Sequence, residues 1–398
     1  MSNRTILAWF RNDLRIRDNE MLYRIVERGD TILPVYCFDP RYFQITPYNT
    51  RKTGIVRAKF IRESVMDLQQ SVRELGGELI IRFGLPEEVL PALAQEYKVD
   101  EVYHHREVAS EETDISGKVE SALWELKLNL RHFIGHTLYH KEDLPFPIKD
   151  IPDNFAVFKK KTERESTIRP SFEYKNVLGF VPDIPASELP SFTDLGFLQS
   201  EIEDLEQDLY IGGESQAQKR LSRFIKDSNQ LNSGLSPWLS QGCISIHEVY
   251  FRVSQEKSLP KKLKNDWLLG LWWHDYYRFM FKKHGNRFFM QKGFGSRPIQ
   301  GEVDKALLQA WKAGDTQDQI LNAIMQELNK TGFVEYADRQ YAARYLVDRN
   351  PGNWLSGAAY FEEKLIDYNP ANNYGSWAHI AGVGSSEKNN RIPQDKIE

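Results

Sequence analysis

The sequence predicts two domains of different class: an α/β unit with a parallel sheet over residues 1–139 and an all-helical unit over residues 212–398, joined by a long linker over 140–211. Three observations carry this. Short apolar runs alternate with helical periods in the first third, prolines crowd the middle, and aromatic helical segments fill the rest. A chain of 398 residues with 41% apolar composition also exceeds one ordinary core, so a division is expected on size alone.

In the first unit, "TILAWF", "TILPVYCF", "ELIIRFG", "EVYHH" and "LRHFIG" read as short buried strands. Between them lie helical patterns; Ile61, Val65, Leu68, Val72 and Leu75 have the spacing of a helix with one buried stripe. Alternation of this kind implies a parallel sheet with helices on its faces. No G-x-G-x-x-G is present, so the usual dinucleotide site is not indicated. From His140 to Phe197 the periods fade and seven of the 18 prolines fall, which reads as a linker wandering over the surface. After about Gly212 the pattern is helical, and seven of the nine tryptophans lie beyond residue 230.

Composition excludes several classes. The mean hydropathy of -0.54 and the lack of a long apolar run argue against a membrane span. "MSNRTILAWF" has no signal-peptide pattern, and a cytoplasmic monomer is the simplest expectation. Cys37 and Cys243 both sit in apolar settings, which argues against a disulfide framework or a cysteine zinc site. His132, His136 and His140 recur every four residues, but in a strand-like stretch, and no metal site is expected. A net charge of -4 argues against an indiscriminate nucleic-acid binder. One stretch is locally basic: Tyr276 to Gly301 has no Asp or Glu and carries Arg278, Lys282, Lys283, Arg287, Lys292 and Arg297. Two readings stand there, a solvated face and a phosphate-binding surface.

The candidate chemistry lies in the helical part. "NSGLSPWL", from Asn232 to Leu239, offers hydroxyls, an amide and a glycine at a corner that can face a phosphate, although an ordinary helix cap has the same composition. "DWLLGLWWHDYYRFM" places Trp267, Leu271, His274 and Arg278 at helical spacing. "FVEYADRQYAARYL" contributes Arg339, and "LIDYNPANNYGSWAHIAGVG" contributes the opposite charge, Asp367, with Asn369, Asn373 and Trp377. A packed core holds such polar groups only when each has a partner, so the cluster is expected to surround something.

Taken together, "WFRNDLRIRDN", "SPWLSQGCIS", "GFVEYADRQ", "YFEEKLIDYNPANNYGSW" and "AGVG" resemble the photolyase/cryptochrome family over nearly the whole chain, with "NYGSWAHIAGVG" and "DRQ" most similar to its DASH-type cryptochromes. The resemblance implies an α/β antenna domain, a linker and a helical domain holding FAD. Matched residue by residue, Asn373 faces flavin N5, and Arg339 and Asp367 form the ion pair beside the ring. Asn232, Ser233, Leu235 and Ser236 belong to the cofactor phosphate loop, and Trp267 and His274 line the site. Trp377 is the tryptophan nearest the flavin and Trp354 the next one out. Position alone reads these two as core; the surrounding motifs single them out. Trp273 matches a lesion-stacking tryptophan, and Glu107 a contact to a folate-type antenna.

The departures from that pattern bear on function. Gly270 stands where photolyases carry a glutamate that contacts the damaged bases, Tyr336 where an asparagine touches lesion and flavin, and Ala337 where an arginine meets DNA. His274 replaces an arginine, and Asn369 an aspartate beside the ring. The outermost tryptophan aligns with Gly301, so Trp311 or a tyrosine such as Tyr345 would have to serve. The leading expectation is a blue-light photoreceptor with DNA binding and altered or weak repair. The alternatives are a photolyase splitting cyclobutane pyrimidine dimers, with single strands favoured, and a flavoprotein that binds nucleic acid without either role. The basic stretch from Arg278 to Arg297 is the expected DNA contact.

Overall fold

The computed structural model describes residues 4–173, 178–205, 210–226, 233–295 and 302–384. Five parallel strands, β1 (Thr5–Phe10), β2 (Thr31–Phe38), β3 (Ile80–Phe83), β4 (Glu101–His105) and β5 (Asn129–Phe133), form one sheet in the order β3-β2-β1-β4-β5. They alternate with α1 (Glu20–Glu27), α2 (Ile55–Glu74), α3 (Pro86–Glu96) and α4 (Ser110–Glu125). Side chains on a strand alternate between faces. Leu7, Trp9, Leu33, Val35 and Val102 pack under α3 and α4, while Ile6, Ala8, Phe10 and Ile32 pack under α1 and α2.

Two helices, α5 (Phe155–Glu165) and α6 (Gln199–Glu203), interrupt the linker. The helical part holds α7 (Glu214–Lys226), α8 (Ser236–Ser240), α9 (Ile246–Gln255), α10 (Lys261–His284), α11 (Lys305–Ala313), α12 (Gln319–Thr331), α13 (Tyr336–Arg349), α14 (Trp354–Lys364) and α15 (Pro370–Ile380). Its core gathers Trp272, Trp311, Leu346, Trp354, Phe361 and Trp377. Among the described residues, no helix is long and apolar enough to cross a membrane.

The chain between the two parts does not simply wander over the surface. Ile151, Phe155 and Phe158 are buried in the helical core, and just before the linker Asp275 of α10 accepts hydrogen bonds from the backbone of Leu138 and Tyr139 at 2.9 and 2.8 Å. Proline content reported the absence of long periods, but the apolar residues between the prolines still find partners. The core beneath α1 and α2 likewise extends into α7, α8 and α9 through Ala217, Leu221, Phe224, Trp238 and Val249. The two parts therefore share packing.

Candidate functional site

The helical part encloses a cavity of about 500 Å³. Its wall takes Ser233 and Ser236 from the corner at α8, and Trp267, Gly270, Trp273, His274 and Tyr277 from one side of α10. Tyr336 and Arg339 come from α13, and Asp367, Asn369, Asn373 and Trp377 from the turn into α15. Arg339 donates two parallel bonds to Asp367, both 2.9 Å, and a third from Nε to the Val334 carbonyl at 2.8 Å. This forked geometry is the strong form of an ion pair and fixes the plane of the guanidinium. Asn369 caps α15, its Oδ1 accepting from the backbone of Ala371 and Asn372 at 3.1 and 3.3 Å. The amide nitrogen of Asn373 donates to the Ala358 carbonyl at 2.9 Å, which leaves its oxygen available as an acceptor. Gly357 of α14 has no side chain where the Trp377 ring packs.

Of the residues expected here, Asn232 lies outside the described residues, as do Gly301 and Arg297. Leu235 is fully buried in the neighbouring core and does not reach the cavity. The sequence reading missed Arg15 and His136, which the α/β domain contributes to the same wall, and also Ser240 and Tyr368. "WFRNDLRIRDN" held the signal for Arg15, but nothing local ties it to helices more than 200 residues away.

A second cavity, about 310 Å³, opens at the carboxyl ends of β1, β2 and β4. The order of the sheet reverses at β1, and a crevice at such a switch point is the usual ligand place in open parallel sheets. Its wall is aromatic, with Tyr36, Tyr42, Tyr48, Phe289 and Tyr374, and includes Arg11, Asn12, Glu112 and Glu362. Burial, with the nearby Glu107 charge, pushes Glu112 up to about 8. Ser240, Tyr368 and Asn369 line both cavities, so one thin wall divides them. Glu107 does not line this crevice. It is buried, accepting from Asn12 at 2.9 Å and from Arg278 at 2.9 Å. Its burial alone would raise its pKa, but the permanent charges of Arg278, which also donates to it, and of Arg11 hold it well below the usual carboxylate range. The expected contact between Glu107 and an antenna is therefore replaced by an internal ion pair.

Two family models match the chain: DNA photolyase over residues 6–176 and the FAD binding domain of DNA photolyase over residues 267–394. Cryptochrome DASH of Gloeobacter violaceus is 38% identical across 98% of this chain and 82% of its own length. The chain belongs to the photolyase/cryptochrome family. Cryptochrome DASH of Xenopus laevis is 36% identical across 98% of this chain and 78% of its own. The crystal structure of the Synechocystis cryptochrome matches with a TM-score of 0.91 at 34% identity, covering 98% of this chain and 85% of that one. An archaeal photolyase from Sulfolobus tokodaii, solved with two FAD molecules, matches with a TM-score of 0.78 at 25% identity over 96% and 83% of the two chains.

FAD is the cofactor of this helical domain, and the cavity's chemistry fits it. A flavin nucleotide is large and flat, with polar edges and a charged diphosphate. The cavity is of ligand size, mixed apolar and polar, and holds buried polar atoms that lack a hydrogen-bond partner among the described residues: Arg15 Nε and Asn372 Oδ1.

The family reading of three tryptophans takes a different shape in space. Trp377 lies on the cavity wall, and Trp311 meets it edge-on with ring centroids 6.0 Å apart. Trp311 was expected as a substitute for the outermost donor, yet it is fully buried, its Nε1 donating to the Ala342 carbonyl at 2.9 Å. It stands beside Trp377 and does not reach the surface. Trp354 is also fully buried, its Nε1 donating to the Gln291 carbonyl at 3.0 Å. Tyr345 carries the Arg349 guanidinium 3.5 Å over its ring, and a cation there makes the ring harder to oxidise. Trp273 lines the cavity but stacks on Phe155 at 3.6 Å, so one of its faces is already covered.

The basic stretch also needs correction. Arg278 is buried in its pair with Glu107, and Lys283 donates to Asp153 at 2.8 Å. A run of like charges along the chain does not reveal acidic partners that the fold brings from elsewhere. Within the described part of the run, Arg287 and Lys292 are the exposed cations.

Proposed function

We propose that this chain is a blue-light-responsive flavoprotein of the photoreceptor kind, with nucleic-acid contact and weak or altered repair of pyrimidine dimers. The observation that carries this is the space at Gly270. A side chain built there would meet nothing within 4 Å, and Gly270 lies on the wall of the FAD cavity. Gly270 itself brings no carboxyl group toward a bound base; the wall's carboxylates come instead from Asp266, one turn earlier on α10, and from Glu335, beside the half-exposed Tyr336 of α13. Each missing donor to charge developing in a substrate costs roughly 3 kcal/mol of transition-state stabilisation.

The placement of the residues on the cavity wall supports the following roles. Ser233 and Ser236 would hold the phosphate end of the cofactor, the Arg339–Asp367 pair and Asn373 its ring, and Trp267 and His274 its remaining wall. Bound FAD supplies blue-light absorption and one-electron chemistry. Trp377, on the cavity wall, would supply the electron; its edge contact with Trp311 supports Trp311 as a source that refills it, and Trp354 is the other candidate. The switch-point cavity would take a second planar chromophore as antenna, in a crevice one wall away. A folate-type antenna, if it binds, would meet Asn12 and Glu112 in place of Glu107. The chain would act as a cytoplasmic monomer.

An active photolyase that prefers single strands is the second reading, favoured by Trp273 at the cavity and by the exposed Arg287 and Lys292. Flipping a dimer out of a duplex costs a few kcal/mol, and a single strand avoids most of it. The deciding measurement is loss of cyclobutane dimers under blue light with pre-reduced protein, scored separately on single- and double-stranded DNA. We expect slow or absent loss in duplex, residual activity on single strands, and a gain in the double variant Gly270→Glu, Tyr336→Asn. Rapid duplex repair by the unaltered protein would establish the photolyase reading instead.

A further inference from the structure

We infer that Arg15, delivered by the α/β domain across the domain seam, is an anion-binding residue of the helical cavity and grips the diphosphate of the cofactor bound there. This rests on the cavity being the FAD site.

The seam is tight where Arg15 crosses it. Leu14 donates its backbone N–H to the Gln241 carbonyl at 3.3 Å. Gly242 has a φ of 62°, and a side chain there would collide with the Asn12 carbonyl. Only a glycine with that backbone allows the loop after β1 to lie against the loop after α8. Arg15 then reaches over Gly242, its two terminal nitrogens donating to the carbonyls of Gly242 and Asp18, both at 3.0 Å. Ser240 and Ser236 precede Gly242 on the same wall, and Gly135 and His136 close it from the side of β5.

Arg15 has no ion-pair partner among the described residues, although its charge does favour the ionised form of Glu214 from a distance. Its side chain is 3% exposed, and among the described residues no carboxylate lies within ion-pair distance of it. Two buried acids of the seam, Asp18 and Glu214, have hydrogen-bond partners of their own. Asp18 accepts from Ser245 and, at 2.5 Å, from the Phe172 backbone. Glu214 accepts from the backbone of Ile16 and Arg17 at 2.8 and 3.1 Å, and burial pushes it up to about 7. His136 is held neutral, lowered to about 3 first by burial, so it adds no competing charge. Arg15 Nε lacks a hydrogen-bond partner. A buried guanidinium with two neutral acceptors and an idle donor is costly unless an anion completes it. The open space beside it is the cavity, and a diphosphate is the anion that guanidinium geometry matches best.

The consequence is that the cofactor bridges two domains, so its loss would loosen the seam as well as empty the site. The test uses the full-length chain, stripped of flavin and titrated separately with FAD and with riboflavin, which has the same ring and no phosphate. For Arg15→Gln we expect the FAD dissociation constant to rise about tenfold or more, with riboflavin affinity nearly unchanged. Arg15→Lys, which keeps the charge without the fork, should fall between and guards against a variant that merely misfolds. An equal loss for both ligands would make Arg15 a structural residue only and overturn the proposal. Unchanged FAD-to-riboflavin selectivity combined with weaker binding of a single-stranded oligonucleotide would assign the anion to nucleic acid and overturn it as well. Failure of the wild-type chain to bind either flavin would overturn the cofactor reading itself, which is a distinct result.

Discussion

At the scale of single residues, the proposed FAD site depends on a few polar groups whose partners are fixed. Asp367 is the clearest. Both of its oxygens take a guanidinium N–H of Arg339, and its side chain is nearly inaccessible. Asp367→Ala would leave Arg339 half-buried and unpaired. We expect about 3 kcal/mol of lost stability and a marked fall in FAD retained through purification. Unchanged flavin content in that variant would remove the pair from the site. Asn369 offers a different test, because its capping role survives conversion to aspartate, whose charge also suits a helix N-terminus. Asn369→Asp would therefore fold, but it would place a negative charge on the cavity wall and disfavour added electrons by Coulomb repulsion. The flavin reduction potential should drop, read by a redox titration; an equal or higher potential in the variant would show that Asn369 does not face the ring.

At the scale of elements, the proposed electron route depends on how α11, α14 and α15 pack. The sequence suggested a line running outward from Trp377 through Trp354. The structure sets Trp311 of α11 against Trp377 of α15, with Phe361 of α14 beside both. Trp377→Phe should slow blue-light reduction of the flavin by an external reductant, on the order of tenfold or more, since a change of about 1.4 kcal/mol in any barrier is already tenfold. Trp311→Phe and Trp354→Phe then separate two branches. A loss only in Trp311→Phe makes α11 the supplier, whereas a loss only in Trp354→Phe restores the outward line. If Trp377→Phe is reduced at the wild-type rate, neither branch runs through it. The same scale explains why the basic run was misread as a surface. Arg278 and Lys283 lie five residues apart on α10, on different sides of it, and each meets an acid from another element, Glu107 after β4 and Asp153 before α5. Helical spacing told which residues share a helix, not what that helix lies against.

At the scale of the whole molecule, the two cavities and the seam between them form a connected set of buried charges. Glu112 lies on the wall of the switch-point cavity, protonated well above an ordinary glutamate because burial and Glu107 oppose its charge. A group whose pKa is raised on folding contributes stability fully below its unfolded value, near 4.5, and loses it as pH rises through about 8. Between pH 7 and 8, stability should therefore fall with rising pH by at most ~1.4 kcal/mol per unit on this account. Glu112→Gln, which keeps a neutral side chain at every pH, should flatten that slope in melting-temperature scans. Glu107 and His136 are shifted downward, so their contributions are lost on acidification below their ordinary values, whereas Glu214, raised to about 7, adds a slope of the same sign that Glu112→Gln leaves in place. A variant with the wild-type slope over that range would mean that Glu112 is ionised in the folded protein.

The sequence alone determined whatever depends on local period and local chemistry. Apolar runs and their spacing set the five strands and the helices, and the asparagines around Trp377, with Asp367 and Arg339, marked a site before any fold was known. Gly270 and Tyr336 were legible as departures because they stand inside motifs. Tertiary structure decided what depends on partners far along the chain. It turned Arg278 inward to Glu107, placed Trp311 beside Trp377, and carried Arg15 across Gly242 into a cavity built mostly by the other domain. The physical reason is common to all three. A charge or a ring acquires its role from what surrounds it, and those surroundings are assembled by close packing between segments that no periodicity in the chain relates to one another.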